Sequence, residues 1–270
     1  MDNELNGPGT RRARFVVSYL GTGFHGFAAN AGVRTVMGDL GSAMSTVLRR
    51  PVDLTGAGRT DAGVHAWGQV VSGDLPSDID LAGLRRRLNK LCAPDIAVRS
   101  ADWAAPTFDA RFSATSRSYR YHVWNDPAPN PLMAATTWHV PRPLQVERMR
   151  QALPALVGEH DFSSFCRRPR PVPGADAPSM VRIIHLADWI CVDDSPLLRF
   201  SITGSAFCHQ MVRSIVGTVV DIGTGRLDPR TMVDILAAHD RAAAGTVAPP
   251  AGLTLWEVGY EGVRWDAPDD

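Results

Sequence analysis

The sequence has almost no lysine and no net charge. Lys90 is its only lysine, so the positive charge comes from arginine, and 28 basic residues balance 28 acidic ones. A neutral chain has no overall attraction to nucleic acid, but phosphate binding needs only a local positive face. Because the arginines are clustered along the chain, zero net charge does not exclude an RNA partner.

The sequence also lacks the patterns of metal sites and membrane spans. Its four cysteines show no C-x-x-C spacing, which argues against a zinc site or a disulfide framework and favours buried thiols. No apolar run approaches the roughly 20 residues of a membrane-spanning helix. The N-terminus has no apolar segment like that of a signal peptide. We therefore expect a cytoplasmic protein without a metal or a membrane contact.

Length and patterning predict two α/β halves. The 270 residues fit one large domain or two modest ones, and segments of the first half follow the order β-α-β-β-α-β of a ferredoxin-like unit. The second half repeats this theme with longer loops. We expect an α+β fold in which ferredoxin-like halves, 1–112 and 113–270, form a mixed, largely antiparallel sheet with an active-site cleft between them. The predicted strands are 14–20, 52–54, 66–71, 96–101, 117–124, 181–192, 197–203 and 253–260, and the predicted helices 36–48, 80–91, 145–157, 208–222 and 229–238.

A glycine pattern near the N-terminus favours a structural loop over a nucleotide site. Residues 21–26 spell G-x-G-x-x-G after a strand, as in dinucleotide-binding folds. In those folds the helix begins within the glycine turn, so that its amides face the pyrophosphate. Here residues 27–33 intervene, and Asn30 and Gly32 interrupt any helix. We therefore disfavour a nucleotide site.

The strongest candidate for chemistry lies in residues 55–71, TGAGRTDAGVHAWGQVV. The glycines permit a tight turn that Asp61 could merely cap, but such a turn does not require Arg59 and Thr60 beside the acid. Backbone amides and a guanidinium can keep a projecting carboxylate ionised. Asp61 can then act as a nucleophile at an electrophilic carbon, such as the anomeric carbon of a sugar. His65 is either a base or a structural neighbour of this loop.

Several motifs, in order along nearly the whole chain, resemble those of the TruA family, the type I tRNA pseudouridine synthases. They are GRTDAGVH at 58–65, FDARFSA at 108–114 followed by RSYRY at 117–121, DFSSF at 161–165, FCHQMVR at 207–213 and AGL at 251–253. The resemblance implies a reaction in which a uridine of RNA is detached from its ribose at N1, turned, and rejoined through C5. Neither a metal nor an organic cofactor is implied.

The resemblance also implies roles for single residues. Asp61 matches the catalytic aspartate, which attacks either C1′ of the ribose or C6 of the uracil. Tyr119 matches the tyrosine that packs on the target base, Arg213 the arginine that pairs with the aspartate, and Arg59 the one that holds the place of the flipped nucleotide. A homodimer that clamps the anticodon arm of tRNA and modifies uridines 38 to 40 is implied as well. Candidate RNA contacts, each of which could instead be a solvated surface residue, are Arg85, Arg86, Arg167, Arg168 and Arg170.

The first half, which in the family helps to grip the tRNA, departs from the family pattern at four places. It has GFA at 26–28 for G-W-Q or G-W-A, VM at 36–37 for V-Q, SG at 72–73 for His/Ser-Phe, and CAP at 92–94 for L-P-x. A divergent paralogue that acts on another RNA or uridine compound therefore stays open.

Three other classes explain less of the sequence. A non-catalytic RNA-binding module gives no reason for Asp61, Tyr119 and Arg213 to match together. A nicotinamide oxidoreductase explains only the glycine pattern. A glycosidase needs two carboxylates that flank one bond, and only Asp61 has a suitable context.

Overall fold

The structure is a computed structural model that describes residues 9–167 and 178–261. The chain divides into two compact units, residues 1–115 with 255–270 and residues 116–254. It has the predicted α+β fold, with mixed, mostly antiparallel strand pairing. Within the ranges that the structure describes, no helix reaches the length and apolarity needed to span a bilayer.

The first unit contains the predicted β-α-β-β-α-β order. The elements are β1 (Thr10–Tyr19), α1 (Val36–Leu48), β2 (Leu54–Gly56), β3 (His65–Pro76), α2 (Leu81–Cys92) and β4 (Ile96–Trp103). Antiparallel pairing places the strands in the order β4-β1-β3-β2. A further strand, β10 (Leu253–Tyr260), neighbours β3, and its residues from Leu255 onward belong to this unit.

Both helices of this unit form for the predicted reasons. The Oγ1 atom of Thr35 accepts the Gly38 N–H at 3.2 Å and caps α1. α1 buries Leu40 and Met44, and α2 buries Leu84. Apolar residues three to four positions apart thus face the sheet, whereas the arginines of α2 face solvent.

The first hairpin of strands is longer than the sequence predicts. β1 begins at Thr10 rather than 14, and β3 continues to Pro76 rather than ending at 71, because Thr10 pairs with Pro76. The charged residues that conceal this extension lie opposite each other, since Arg12 pairs with Asp74 and its Nε is 3.1 Å from the carboxylate. A cross-strand ion pair thus replaces the apolar alternation on which the prediction relied.

The elements of the second unit are β5 (Ala114–Trp124), β6 (Trp138–His139), α3 (Val146–Ala152), β7 (Gly158–Asp161), β8 (Val181–Cys191), β9 (Leu197–Gly204), α4 (Met211–Gly223) and α5 (Thr231–Ala238). Four of these strands pair antiparallel in the order β5-β9-β8-β7, and β6 pairs parallel with β5. Almost every residue of α4 is buried, so this helix forms the centre of the unit's core.

Three expectations for the second half are wrong in detail. The helix predicted to reach 157 ends as α3 at Ala152 and continues as a 3₁₀ turn that contains Pro154, which lacks an N–H donor. α4 begins at Met211 instead of 208 because Gln210 is left-handed, with φ of 63°. Cys191 is exposed at the end of β8, although buried thiols were expected.

Candidate active site

The loop between β2 and β3, residues 57–64, carries Asp61 and is held by a buried amide of β3. Gln69 is fully buried. Its Nε2 donates to the Gly58 carbonyl at 2.8 Å, and its Oε1 accepts the Gly58 N–H at 3.3 Å. Both ends of one side-chain amide therefore bind both backbone polar groups of one residue in this Asp61 loop.

The residue before the acid is fixed by its side chain and its backbone. The hydroxyls of Thr60 and Tyr19 are 2.8 Å apart, and both residues are buried. The carbonyl of Thr60 accepts the Phe27 N–H at 3.1 Å. Because Thr60 is bound through both its side-chain hydroxyl and its backbone carbonyl, it has little freedom to move.

Asp61 is half-buried and begins the turn that leads into β3. Its carbonyl accepts the Val64 N–H at 3.2 Å. Gly63 has φ of 79°, a left-handed conformation that glycine adopts without strain. The glycine and the clamped residues upstream thus fix the backbone that carries the Asp61 side chain.

His65 is a structural neighbour of this loop rather than a candidate base. It is buried, and its Nδ1 accepts the Gly21 N–H at 2.9 Å. Gly21 begins a 3₁₀ turn, Gly21–Gly23, and a Cβ there would collide with the Val64 carbonyl. The turn at Gly21–Gly23 therefore packs against the Asp61 loop, so the glycine at its start has a structural role.

Two of the predicted site residues lie in the second unit. Tyr119 is on β5, and its ring meets the edge of Phe207 at 5.1 Å between centroids. Tyr121 lies two residues on, hence on the same face of the strand, and its hydroxyl donates to the Pro249 carbonyl at 2.8 Å. Arg213 of α4 donates from Nε to the Ala248 carbonyl at 2.8 Å.

Burial and charge act in opposite directions on Tyr121. Burial raises the pKa of its phenol far above the usual value, and the positive charge of Arg213 lowers the same pKa by less. The charge of Arg213 therefore acts on the Tyr121 phenol, but burial dominates.

The predicted RNA contacts on α2 are exposed and only weakly engaged. Arg85 donates to the Arg99 carbonyl at 2.8 Å. Arg86 lies 3.7 Å from Asp80, with side chains 68% and 69% exposed. Exposed pairs of this kind contribute little free energy, so a phosphate can replace them.

Arg167 is also exposed, and its backbone N–H donates to the His209 carbonyl at 3.0 Å. Arg168 and Arg170 lie outside the described residues. Arg59 is exposed within the Asp61 loop. Thus Arg59 and Asp61 lie together in the first unit, and Tyr119, Arg167 and Arg213 lie in the second.

Sequence reasoning missed the residues that hold the Asp61 loop. A usable signal existed for Gln69, because a polar residue inside the apolar strand HAWGQVV needs a hydrogen-bond partner when buried. Tyr19 gave no such signal, since it reads as an ordinary β-former. Within the described ranges, no group of three or more His, Cys, Asp or Glu side chains is arranged to hold a metal ion.

Comparison with known proteins supplies the class and then the family. Residues 152–261 match the protein family described as tRNA pseudouridine synthase. The chain is 43% identical over 254 residues to tRNA pseudouridine synthase A of Frankia casuarinae, covering 93% of this chain and 90% of that protein. It is 40% identical to the Bacillus subtilis protein of that name, covering 93% and 99%, and 40% identical to that of Geobacillus kaustophilus, covering 93% and 95%. The chain therefore belongs to the tRNA pseudouridine synthase A family, which confirms the resemblance to TruA.

Proposed function

We propose that this protein converts uridine to pseudouridine in tRNA with Asp61 as the nucleophile. Two relatives named tRNA pseudouridine synthase A are 43% and 40% identical to this chain over 93% of its length. The observation that carries the assignment of Asp61 is the way its loop is held, with Gly58 clamped by Gln69 and Thr60 bound by Tyr19. A nucleophile must be held in one orientation to attack one carbon, and these contacts supply that restraint.

The reaction is an isomerisation that balances without a cofactor. In one route the Asp61 carboxylate bonds to C1′ as the C1′–N1 bond breaks and the uracil leaves with the electron pair. The uracil turns, C5 bonds to C1′ as the carboxylate leaves, C5 loses its proton and N1 gains one. In the other route the carboxylate adds to C6 of the uracil as the C5–C6 double bond becomes an enolate, the C1′–N1 bond breaks and C5 of the turned base bonds to C1′. The carboxylate then leaves C6 as C5 loses its proton and the double bond re-forms, and N1 gains a proton. Both routes give the same product.

Tyr119 and Arg213 assist Asp61 in this proposal. Tyr119 packs its ring on the target base and replaces the stacking that the base loses when it leaves its helix. The edge contact with Phe207 supports the Tyr119 ring. Arg213 supplies the positive charge that keeps the nucleophile ionised, since a carboxylate in a dry pocket otherwise takes up a proton. Arg59 holds the place of the flipped nucleotide.

The substrate of the proposal is the anticodon arm of tRNA, with uridines 38 to 40 as targets, bound by a homodimer in the cytoplasm. Exposed arginines support RNA binding by a chain without net charge, because attraction to phosphate depends on local charge. Arg85 and Arg86 on α2 and Arg167 in the second unit are the described candidates.

Tritium release tests this proposal. Wild-type protein incubated with unmodified tRNA carrying tritium at C5 of uridine should release the label, and Asp61→Asn should not. Asp53→Asn is the matched control, because this exposed aspartate lies just before β2 and should leave release unchanged. Equal release by wild type and Asp61→Asn would remove Asp61 from the mechanism. Salt-dependent tRNA binding without any release would support the non-catalytic module instead.

Two further measurements test the substrate and the assembly. Carbodiimide-dependent reverse-transcription stops map pseudouridine in the product, and stops at 38 to 40 are expected. Stops elsewhere would favour the divergent paralogue. Sedimentation of the free protein at twice the monomer mass supports the homodimer, and a monomer that stays active contradicts it.

A further inference from the structure

A large apolar side chain of the first unit is presented to solvent on a polar turn. Phe112 is 80% exposed, although phenylalanine is among the residues most often buried. It follows Arg111 in the turn 109–113, between β4 and β5. An exposed ring of this size gains free energy from any partner that covers it.

The turn that presents Phe112 is closed by hydrogen bonds to one residue. The Oδ1 atom of Asp109 accepts the N–H groups of Arg111 at 2.8 Å and of Phe112 at 2.9 Å. The backbone of Asp109 is bound to Ser113 in both directions, at 3.0 Å each. Because these bonds already fix the backbone, a partner of the ring does not have to order this turn.

The same turn is anchored to two strands. The Ala110 N–H donates to the Ser72 hydroxyl of β3 at 3.1 Å, and the Ala110 carbonyl accepts the Tyr260 hydroxyl of β10 at 2.6 Å. The rings of Phe108 and Tyr260 lie 5.0 Å apart. The turn is therefore fixed to the first unit, and Phe112 is exposed because the anchored backbone holds it at the surface.

The chemistry of this surface suits a nucleobase. The guanidinium carbon of Arg111 lies 5.2 Å from the centroid of the Phe112 ring, and most of the ring stays open to solvent. Aromatic faces and guanidinium planes are the groups on which unstacked RNA bases stack. The turn also carries the polar side chains of Asp109 and Ser113, and polar groups of this kind suit the polar edge of a base better than the apolar core of a protein interface.

The turn and the Asp61 loop are tied to the same strand. Ser72 anchors the turn, and Gln69, three residues earlier on β3, clamps the loop. Residues three apart on a strand project their side chains to opposite faces, so Gln69 and Ser72 anchor the loop and the turn from the two sides of β3. The shared strand fixes both segments to the body of the first unit.

We propose that Phe112 and Arg111 form a stacking platform for a base of the RNA substrate other than the target uridine. This inference rests on the proposed function, in which Tyr119 packs on the target base itself. The platform adds affinity for the single-stranded segment of the substrate.

Replacement of the ring tests the platform. Phe112→Ala should weaken the binding of unmodified tRNA by about 5- to 150-fold, the range that follows from loss of one base–aromatic stack, and Phe112→Trp should keep or raise the affinity. Binding is measured with Asp61→Asn as the background, so that no turnover occurs. The salt dependence of Phe112→Ala should match that of the background, because the ring contacts no phosphate.

Leu132→Ala is the matched control, since Leu132 is an apolar side chain that is 96% exposed, and it should leave the affinity unchanged. Equal affinities of Phe112→Ala and the background would overturn the platform, as would an equal loss in Phe112→Trp. A changed sedimentation coefficient in Phe112→Ala would show that a second copy of the chain covers the ring, which also overturns it. Tritium release by wild type tests the proposed function separately, so a failed platform leaves that function intact.

Discussion

Replacing Gln69 with leucine tests how the Asp61 loop is held. Leucine is close to glutamine in volume and apolar, so β3 keeps its packing. The variant removes the bonds to the Gly58 carbonyl and N–H, and the bond in which Oε1 accepts the Val70 N–H at 3.2 Å. A buried polar group left without a partner costs about 1–3 kcal/mol.

The half-exposed position of Gly58 reduces that cost, because water can take over part of the lost bonding. We expect the free energy of unfolding to fall by about 2 kcal/mol, which lowers the melting temperature by about 4–8 °C in a chain of this size. The rate constant kcat should fall by more than the loss of folded protein explains. A displacement of about 1 Å can reduce kcat by about 100-fold, whereas tRNA affinity should stay the same, because Gln69 is fully buried.

Single-turnover tritium release, tRNA binding and thermal melting separate these effects. The matched control is Asn89→Leu, because the Asn89 side-chain amide makes a similar pair of hydrogen bonds. It binds the N–H and the carbonyl of Val98 at 2.6 and 3.1 Å and so joins α2 to β4. It should lower the melting temperature similarly and leave kcat unchanged. If Gln69→Leu melts early but turns over at the wild-type rate, or if both variants lose rate equally, the clamp does not position Asp61.

Three further substitutions, at Gly21, Gly41 and Tyr121, test the packing of the two units. Gly21→Ala places a Cβ against the Val64 carbonyl and should reduce the yield of folded protein. Gly41→Ala is its control, because nothing lies within 4 Å of a Cβ at this position of α1, and it should stabilise the protein by up to about 1 kcal/mol in thermal melting. Equal behaviour of the two variants would contradict the collision at Gly21. Burial raises the pKa of Tyr121, so the stability that its neutral form contributes is complete below about pH 10 and is lost as pH rises further. Above pH 10 the free energy of unfolding, measured by urea titration, should therefore fall less steeply with pH in Tyr121→Phe than in wild type, by about 1.4 kcal/mol per pH unit. Equal slopes for the variant and the wild type would contradict this.

Local patterns predicted the elements of the first unit because its signals lie within a few residues of each other. The cap at Thr35 and the apolar spacing of α1 need no information from elsewhere in the chain. The start of β1 could not be found in this way, because Arg12 is accommodated in a strand only by Asp74 on its partner. Strand register decides that pairing, and register depends on the whole sheet.

The residues of the candidate site differ in the same way, because some can be recognised from local sequence and others only from long-range contacts. The GRTDAGVH motif singled out Asp61 and Arg59 because their residue types are informative by themselves. Gln69 and Tyr19 act through Gly58 and Thr60, which lie 11 and 41 positions away. A contact of this kind between a side chain and a distant loop leaves no periodic pattern in the sequence, so the residues that hold the acid became visible only in the fold.

The departure from the family pattern at residues 26–28 lies beneath the Asp61 loop rather than on an RNA-facing surface. Phe27 is 2% exposed, and its ring stacks on Tyr19 at 6.1 Å between centroids. Its N–H donates to the Thr60 carbonyl, and its ring lies so close to Gly56 that a Cβ there would collide with it. Met37, a second departure, donates its N–H to the Phe27 carbonyl at 2.9 Å. These two positions are therefore linked to the backbone and the packing that support the Asp61 loop, and a change at either of them acts on the acid through that support.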